Sequence, residues 1–220
     1  MSDRLPERVF NPSLHRYAVL SKHIPQAAPD DRWADLGGGA GEFSILVRNQ
    51  GYEVTLVDSD PRNLANVQRH GIEGIHADLN TPLDSFHNNQ FAGVSLVEVI
   101  EHVPRAEQLA TEALRILRPG GVLLLSTPNA VWWRERLRIL FGRQLQAEGY
   151  HYRFFSVSGI KRLCEHAGFR LDHMEFSSPA FGLNWILRRV LRRAKRMHVR
   201  VPRVLARLFA QTTYLVASKE

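Results

Sequence analysis

Apolar positions along this chain alternate between two periods, and the alternation becomes regular near residue 32. Arg32-Trp33-Ala34-Asp35-Leu36 reads as a short strand. Glu42 to Gln50 then sets Phe43, Leu46 and Val47 on one helical face. Glu53-Val54-Thr55-Leu56-Val57 is rich in β-branched residues and ends at Asp58, and Pro61 is placed to open the next helix in its first turn. Gly74 to Ala77 and Val94 to Val97 read as further strands, the second apolar enough to be covered on both faces. Arg105 to Leu117 has helical spacing, and Pro119-Gly120-Gly121 turns it into the strand Val122 to Thr127. A helix over Val157 to Gly168 and strands over Phe169 to Phe176 and Thr212 to Ala217 follow.

Strands alternating with helices predict an α/β domain with a mostly parallel sheet, right-handed crossovers and helices on both faces. The two late strands predict an antiparallel edge. The chain divides into a helical lid over residues 1–30 and one domain over residues 31–220, with insertions at about 128–156 and about 180–210. A length of 220 residues suits one sizeable domain. The single cysteine, Cys164, excludes an intramolecular disulfide framework and a cysteine-rich zinc site. No leader segment and no run of about 18 apolar residues is visible, so the expected location is cytoplasmic, with peripheral attachment to the inner face of a membrane left open.

Charge is unevenly spread. Nine Lys and Arg residues between Arg188 and Arg207 outweigh the whole net charge of +7, and no acidic residue lies between Glu175 and Glu220. Leu183, Ile186, Leu187, Val190, Leu191 and Ala194 form the apolar stripe of a helix whose other side is basic, and Val204 to Phe209 repeats the pattern. Three readings stand: a lid packed on the domain, docking on an anionic membrane surface through Leu183 to Phe209, and contact with nucleic-acid phosphates. Nucleic acid is the weaker one, since no RNA-binding module flanks the domain.

The sharpest local signal is Asp35-Leu36-Gly37-Gly38-Gly39-Ala40-Gly41-Glu42, lying after a strand and opening a helix. Glycines at 37, 39 and 41 permit positive φ and close approach of backbone to ligand. Rossmann dinucleotide sites use such a turn to seat a pyrophosphate. Here the spacing is G-x-G-x-G, and Asp35 would repel a diphosphate but suits an ammonium or sulfonium. Asp58, at the end of the second strand, is placed to accept from ribose hydroxyls, and Asp78 to reach an adenine amino group. Capping and turn-making are the structural alternatives for these residues.

Trp33 to Glu42 resembles the first motif of class I S-adenosylmethionine-dependent methyltransferases, Val54 to Pro61 the second, and Leu114-Arg-Ile-Leu-Arg-Pro-Gly-Gly121 the late one. The resemblance covers about residues 30–175. It implies S-adenosylmethionine as methyl donor, S-adenosylhomocysteine as product, and a Rossmann-like seven-stranded sheet with an antiparallel last strand. By family position, Asp35, Gly37, Gly38, Gly39 and Gly41 border the methionine part of the cofactor. Asp58 then faces the ribose and Asp78 the adenine, with Val97 and Glu98 near the reacting methyl.

Glu98-Val99-Ile100-Glu101-His102 sets two carboxylates and an imidazole on one face if it is helical, a donor set suited to Mg²⁺ or Mn²⁺. The trio is similar to the E-x-x-E-H segment of ubiquinone-biosynthesis O-methyltransferases and of small-RNA 3′-end 2′-O-methyltransferases. In those families it holds a metal that polarises the attacking hydroxyl, and His151 can take the place of a later histidine in the second family. Two alternatives stay open: His102 as a metal-free base or loop-orienting group, and His151 as a lid residue. The segment Trp132 to Arg143 and the run His151-Tyr-Arg-Phe-Phe155 resemble methyltransferases of bacterial polysaccharide and lipid-sugar biosynthesis, with some likeness to the methionine-biosynthesis W family. Physically, Trp132 to Leu140 reads either as a substrate wall or as a helix turning Trp133, Leu137 and Leu140 to the core.

The leading expectation is O-methylation of a hydroxyl on a small-molecule, glycan or lipid-linked acceptor, with Glu98, Glu101 and His102 as catalytic residues; N-methylation is not excluded. A metal-dependent RNA 2′-O-methyltransferase and a non-catalytic S-adenosylmethionine-binding regulatory partner are the alternatives.

Overall fold

The computed structural model describes residues 15–145, 150–179 and 198–220. The predicted amphipathic stretch from Leu183 to Ala194 and the start of the N-terminal lid lie outside these residues.

Helix α1, His15–Leu20, runs into a 3-10 turn at Ser21–His23. Then come β1 Arg32–Leu36, α2 Glu42–Arg48, β2 Glu53–Asp58, α3 Pro61–Gln68 and β3 Glu73–His76. Strand β4, Phe91–Val97, leads through a 3-10 turn at Ile100–His102 to α4, Ala106–Ile116, and β5, Leu117–Pro128. The chain continues as α5 Trp133–Leu140, α6 Val157–Ala167 and β6 Arg170–Ser178. It closes with β7 Val199–Arg200, a 3-10 turn at Arg203–Leu205, α7 Ala206–Phe209 and β8 Thr212–Ser218.

The strands form one sheet in the order β3-β2-β1-β4-β5-β8-β6-β7. Pairings among β1 to β5 are parallel, and β8 runs antiparallel to both β5 and β6. The predicted Rossmann-like architecture is therefore present. The eighth strand, β7, is a two-residue addition at the β6 edge.

Period-two alternation divides the core into two layers. Ala34, Leu36, Leu123, Leu125, Leu215 and Ala217 face one side, where α4 and α6 bury Leu109, Ala113, Ile160 and Leu163. Trp33, Leu124 and Val216 face the other, against Phe43 and Val47 of α2, Leu64 and Val67 of α3, and Val19 and Leu20 of α1. Pro61 does open its helix: Asp60 caps it, accepting from the Arg62 amide at 2.9 Å.

Three local expectations need correction. Glu98 to His102 is not an α-helix: Glu98 takes φ +56°, and only a 3-10 turn follows. The reason is that β4 must hand the chain sharply to α4. In α5 the apolar residues do not face the core: Leu140 is 75% and Leu137 42% exposed, and the buried tryptophan of the pair is Trp132. Within Val204 to Phe209 the amphipathic pattern breaks into a turn and one helical turn. Ala206 and Phe209 pack with Phe176 and Val201, while Val204 stays exposed.

Candidate active site

In open α/β sheets, ligands bind beyond the carboxyl ends of the strands, where the strand order reverses. Here that point lies between β1 and β4, and a cavity of about 670 Å³ opens there. This volume is within the range of about 300–1,000 Å³ usual for small-molecule sites. Asp35, Gly37, Gly38, Gly39, Val97, Glu98, Glu101, His102 and His151 all line it. Gly41, Asp58 and Asp78 do not form part of that lining.

The loop after β1 has the predicted backbone: Gly37, Gly39 and Gly41 take φ of +70°, +57° and +86°. Beneath it Asp35 is almost fully buried, accepting from Ser44 Oγ and Ser95 Oγ at 2.6 Å each. The Trp33 indole donates to Ser95 Oγ at 3.0 Å and completes the chain. Burial pushes the Asp35 carboxyl up to about 6, against the two hydroxyl donors and with the help of the Asp58 and Glu42 charges. A buried anion of this kind favours a cationic ligand group beside it.

Asp58 braces the loop. Its Oδ2 accepts from the Gly39 amide at 2.9 Å and its Oδ1 from the Asp60 amide at 2.8 Å. Asp78 closes a turn, with Oδ1 accepting from the Asn80 amide and side chain at 2.9 and 2.8 Å; these bonds hold its carboxyl below the usual range. Both aspartates thus carry the turn-making contacts of the structural alternative. Each carboxylate retains lone pairs for a ligand.

On the far side, Glu98 Oε1 accepts from Ser126 Oγ at 2.7 Å, and Oε2 lies 3.8 Å from Arg16 Nη1. Glu101 is buried, with Oε2 accepting from Thr127 Oγ1 at 3.1 Å. Burial first, and the Glu98 charge second, raise its carboxyl well above the usual carboxylate range. The Glu101 carbonyl accepts from the amides of Tyr152 and Arg153 at 2.9 and 3.1 Å. That pairing pins the inserted segment and brings His151 against His102, ring centroids 4.7 Å apart. Glu101, His102 and His151 each offer a ligand atom, all within 4.8 Å of one another. Glu98 stands beside this set rather than in it. Two imidazoles and a carboxylate are a donor set suited to a divalent metal.

Two further groups, Glu42 and Asn129, were not singled out as site residues by sequence reasoning. Glu42, at the start of α2, is buried in the cavity wall and accepts from Tyr17 Oη at 3.4 Å. Burial, then Glu42, raises the Tyr17 phenol well above its ordinary value. Asn129 anchors the turn after β5, its amide and Nδ2 donating to the carbonyls of Gln211 and Ala210 at 2.7 and 2.8 Å. Trp132, one of the residues read as a substrate wall, lines the cavity. For Glu42 the signal was present, since it directly follows the glycine loop.

The profile of a family described as "Methyltransferase domain" matches residues 8–174. A ubiquinone biosynthesis O-methyltransferase of Xylella fastidiosa is 28% identical over 177 residues, covering 76% of this chain and 70% of the relative. A probable S-adenosylmethionine-dependent methyltransferase of Mycolicibacterium smegmatis is 31% identical over 163 residues, 71% of this chain but only 59% of the relative's length. Among solved structures, an S-adenosylmethionine-dependent methyltransferase from Mesorhizobium loti superposes with a TM-score of 0.68 at 18% identity, covering 94% of this chain and 99% of that one. A phosphoethanolamine N-methyltransferase from Haemonchus contortus, in complex with S-adenosyl-L-methionine, gives 0.65 at 15% identity, covering 93% and 52%. These structures share the fold.

Proposed function

Because this chain belongs to the methyltransferase-domain family and is an S-adenosylmethionine-dependent methyltransferase, we propose that it methylates a hydroxyl group on a small-molecule, glycan or lipid-linked acceptor. The observation that carries the reading is the Glu101–His102–His151 cluster on the cavity wall, beside Val97 and Glu98. A hydroxyl attacks a methyl group well only as it loses its proton, so the site needs a base or a Lewis acid. His102 supplies a base of defined tautomer. Its Nδ1 lies 2.8 Å from the Tyr150 carbonyl, which only accepts, so Nδ1 carries the hydrogen and Nε2 the lone pair. Glu101, with its raised carboxyl, can hold a proton near neutral pH.

Glu101, His102 and His151, with Glu98 adjacent, would hold a divalent ion, and the two imidazoles suit Mn²⁺ better than Mg²⁺; a bound metal would supply polarisation of the acceptor oxygen. In this reading Asp35 and the glycines at 37, 38, 39 and 41 cradle the methionine part of the cofactor. Asp58 faces the ribose and Asp78 the adenine, and Val97 and Glu98 border the methyl.

The name of the Xylella relative supports O-methylation. Leu140 at the end of α5 and Phe141 after it are each 75% exposed, an apolar surface outside the cavity lining that suits a lipid-linked acceptor. No helix among the described residues is long and apolar enough to cross a membrane.

The test is label transfer from methyl-labelled S-adenosylmethionine into a host extract, followed by separation of lipid, small-molecule, RNA and protein fractions. Label in base-stable ethers of the lipid or small-molecule fraction supports the reading. Label in RNA alone, or on nitrogen, overturns it.

A further inference from the structure

A second cluster lies away from the cavity. His23, in the 3-10 turn after α1, meets His173 and Glu175 on β6, 150 and 152 residues further along the chain. His173 and Glu175 are two apart on a strand and share a face. His23 Nε2 lies 3.3 Å and His173 Nε2 3.4 Å from the same Glu175 Oε1, and the two rings are 5.0 Å apart between centroids. All three donor atoms fall within 4.8 Å of one another.

We propose that His23, His173 and Glu175 form a binding site for one divalent transition metal of the zinc class, which clips the N-terminal segment to β6.

The spacing carries the argument. Zinc holds nitrogen and carboxylate oxygen at about 2.0–2.2 Å in a tetrahedron, so its ligand atoms sit about 3.3–3.5 Å apart. Both histidine-to-carboxylate distances already have that value. Two imidazoles with one carboxylate favour zinc-like ions over Mg²⁺ or Ca²⁺, which take oxygen. The three side chains are 22%, 42% and 15% exposed, neither sealed from solvent nor spread on the surface. Arg200 is the competitor: its Nη2 is 3.6 Å from Glu175 Oε1, but its side chain is 71% exposed and free to swing out.

The consequence reaches the cavity. Arg16 and Tyr17 of α1 line it and contact Glu98 and Glu42, and His23 stands six residues beyond Tyr17. A metal at His23 therefore steadies the helix that closes one wall of the cavity.

Glu101, His102 and His151 offer the same donor types, so the two sites must be separated. The experiment is titration of the chelator-stripped full chain with Zn²⁺ by calorimetry, and with Co²⁺ by visible absorption. The His151→Gln protein is expected to keep one tight equivalent with tetrahedral Co²⁺ absorption. Adding His173→Gln removes that equivalent. Hydrogen exchange over residues 15–24 slows with Zn²⁺ in the first protein and not in the second. Arg200→Ala, at an exposed position, is expected to tighten Zn²⁺ binding by removing the competing cation. The proposal is overturned if His151→Gln binds no Zn²⁺, if the double variant binds it unchanged, or if Arg200→Ala leaves the affinity as it was.

Discussion

His102 Nδ1 sits 2.8 Å from the carbonyl oxygen of Tyr150, a contact made across 48 residues of sequence. It fixes one tautomer of a cavity-lining imidazole by means of a backbone group that no side-chain substitution removes. Replacing His102 with Gln is expected to lower kcat by about 100-fold or more, the usual loss for a positioned acid or base. Cofactor affinity measured by calorimetry should change little. A kcat within threefold of the parent would refute the role.

The cluster around Glu101 separates metal assistance from simple base catalysis. If a divalent ion is used, exhaustive chelation abolishes turnover, and added Mn²⁺ or Mg²⁺ restores it. His151→Ala then raises the metal concentration needed for half-maximal rate. Full activity after chelation, with His151→Ala behaving as the parent, would leave His102 as a base acting alone.

The pH response of Asp35 has a definite sign. In the unfolded chain this carboxyl titrates near about 3.9; in the fold, burial holds it up to about 6. Ionisation is therefore resisted by the folded state, and stability is lost as pH rises between those values, by about 3 kcal/mol once both states are ionised. Asp35→Asn keeps the shape without the charge. It is expected to melt at higher temperature than the parent above pH 6 and to bind S-adenosylmethionine more weakly. A melting difference independent of pH from 4 to 7 would contradict this account.

Gly38 tests the loop by volume. A Cβ there would lie 2.6 Å from both Asp35 Oδ2 and Leu56 Cδ1. Gly38→Ala must displace the carboxylate or the core, at about 1–3 kcal/mol, the usual cost of overpacking. Chemical denaturation and cofactor titration should both register the change. Wild-type stability with wild-type affinity would show the loop to be looser than its geometry.

Much of this architecture is legible in the sequence. The strands around Ala34, Val57 and Leu123 show themselves through runs of apolar residues, because a parallel strand is covered on both faces. The glycines at 37, 39 and 41 announced their positive φ because few other residues accept it. The turn after Glu98 is not legible in the same way, because spacing alone cannot tell a 3-10 turn from a short helix. The core-facing reading of Leu137 and Leu140 fails for a related reason: an apolar stripe does not say whether the partner it would pack on is there.

The sequence by itself determined the β/α alternation, the parallel sheet and the glycine loop with Asp35 beneath it. These follow from local sterics and from two periodicities that neighbouring residues express together. Only the tertiary structure decided that His151 meets His102, that Tyr17 meets Glu42, and that His23 meets Glu175. Those pairings span 49, 25 and 152 residues, and they exist because the sheet and the returning segments close the chain on itself. The raised carboxyls of Asp35 and Glu101 belong to the same category, since desolvation is set by whatever packs around a group and not by the residues beside it in the chain.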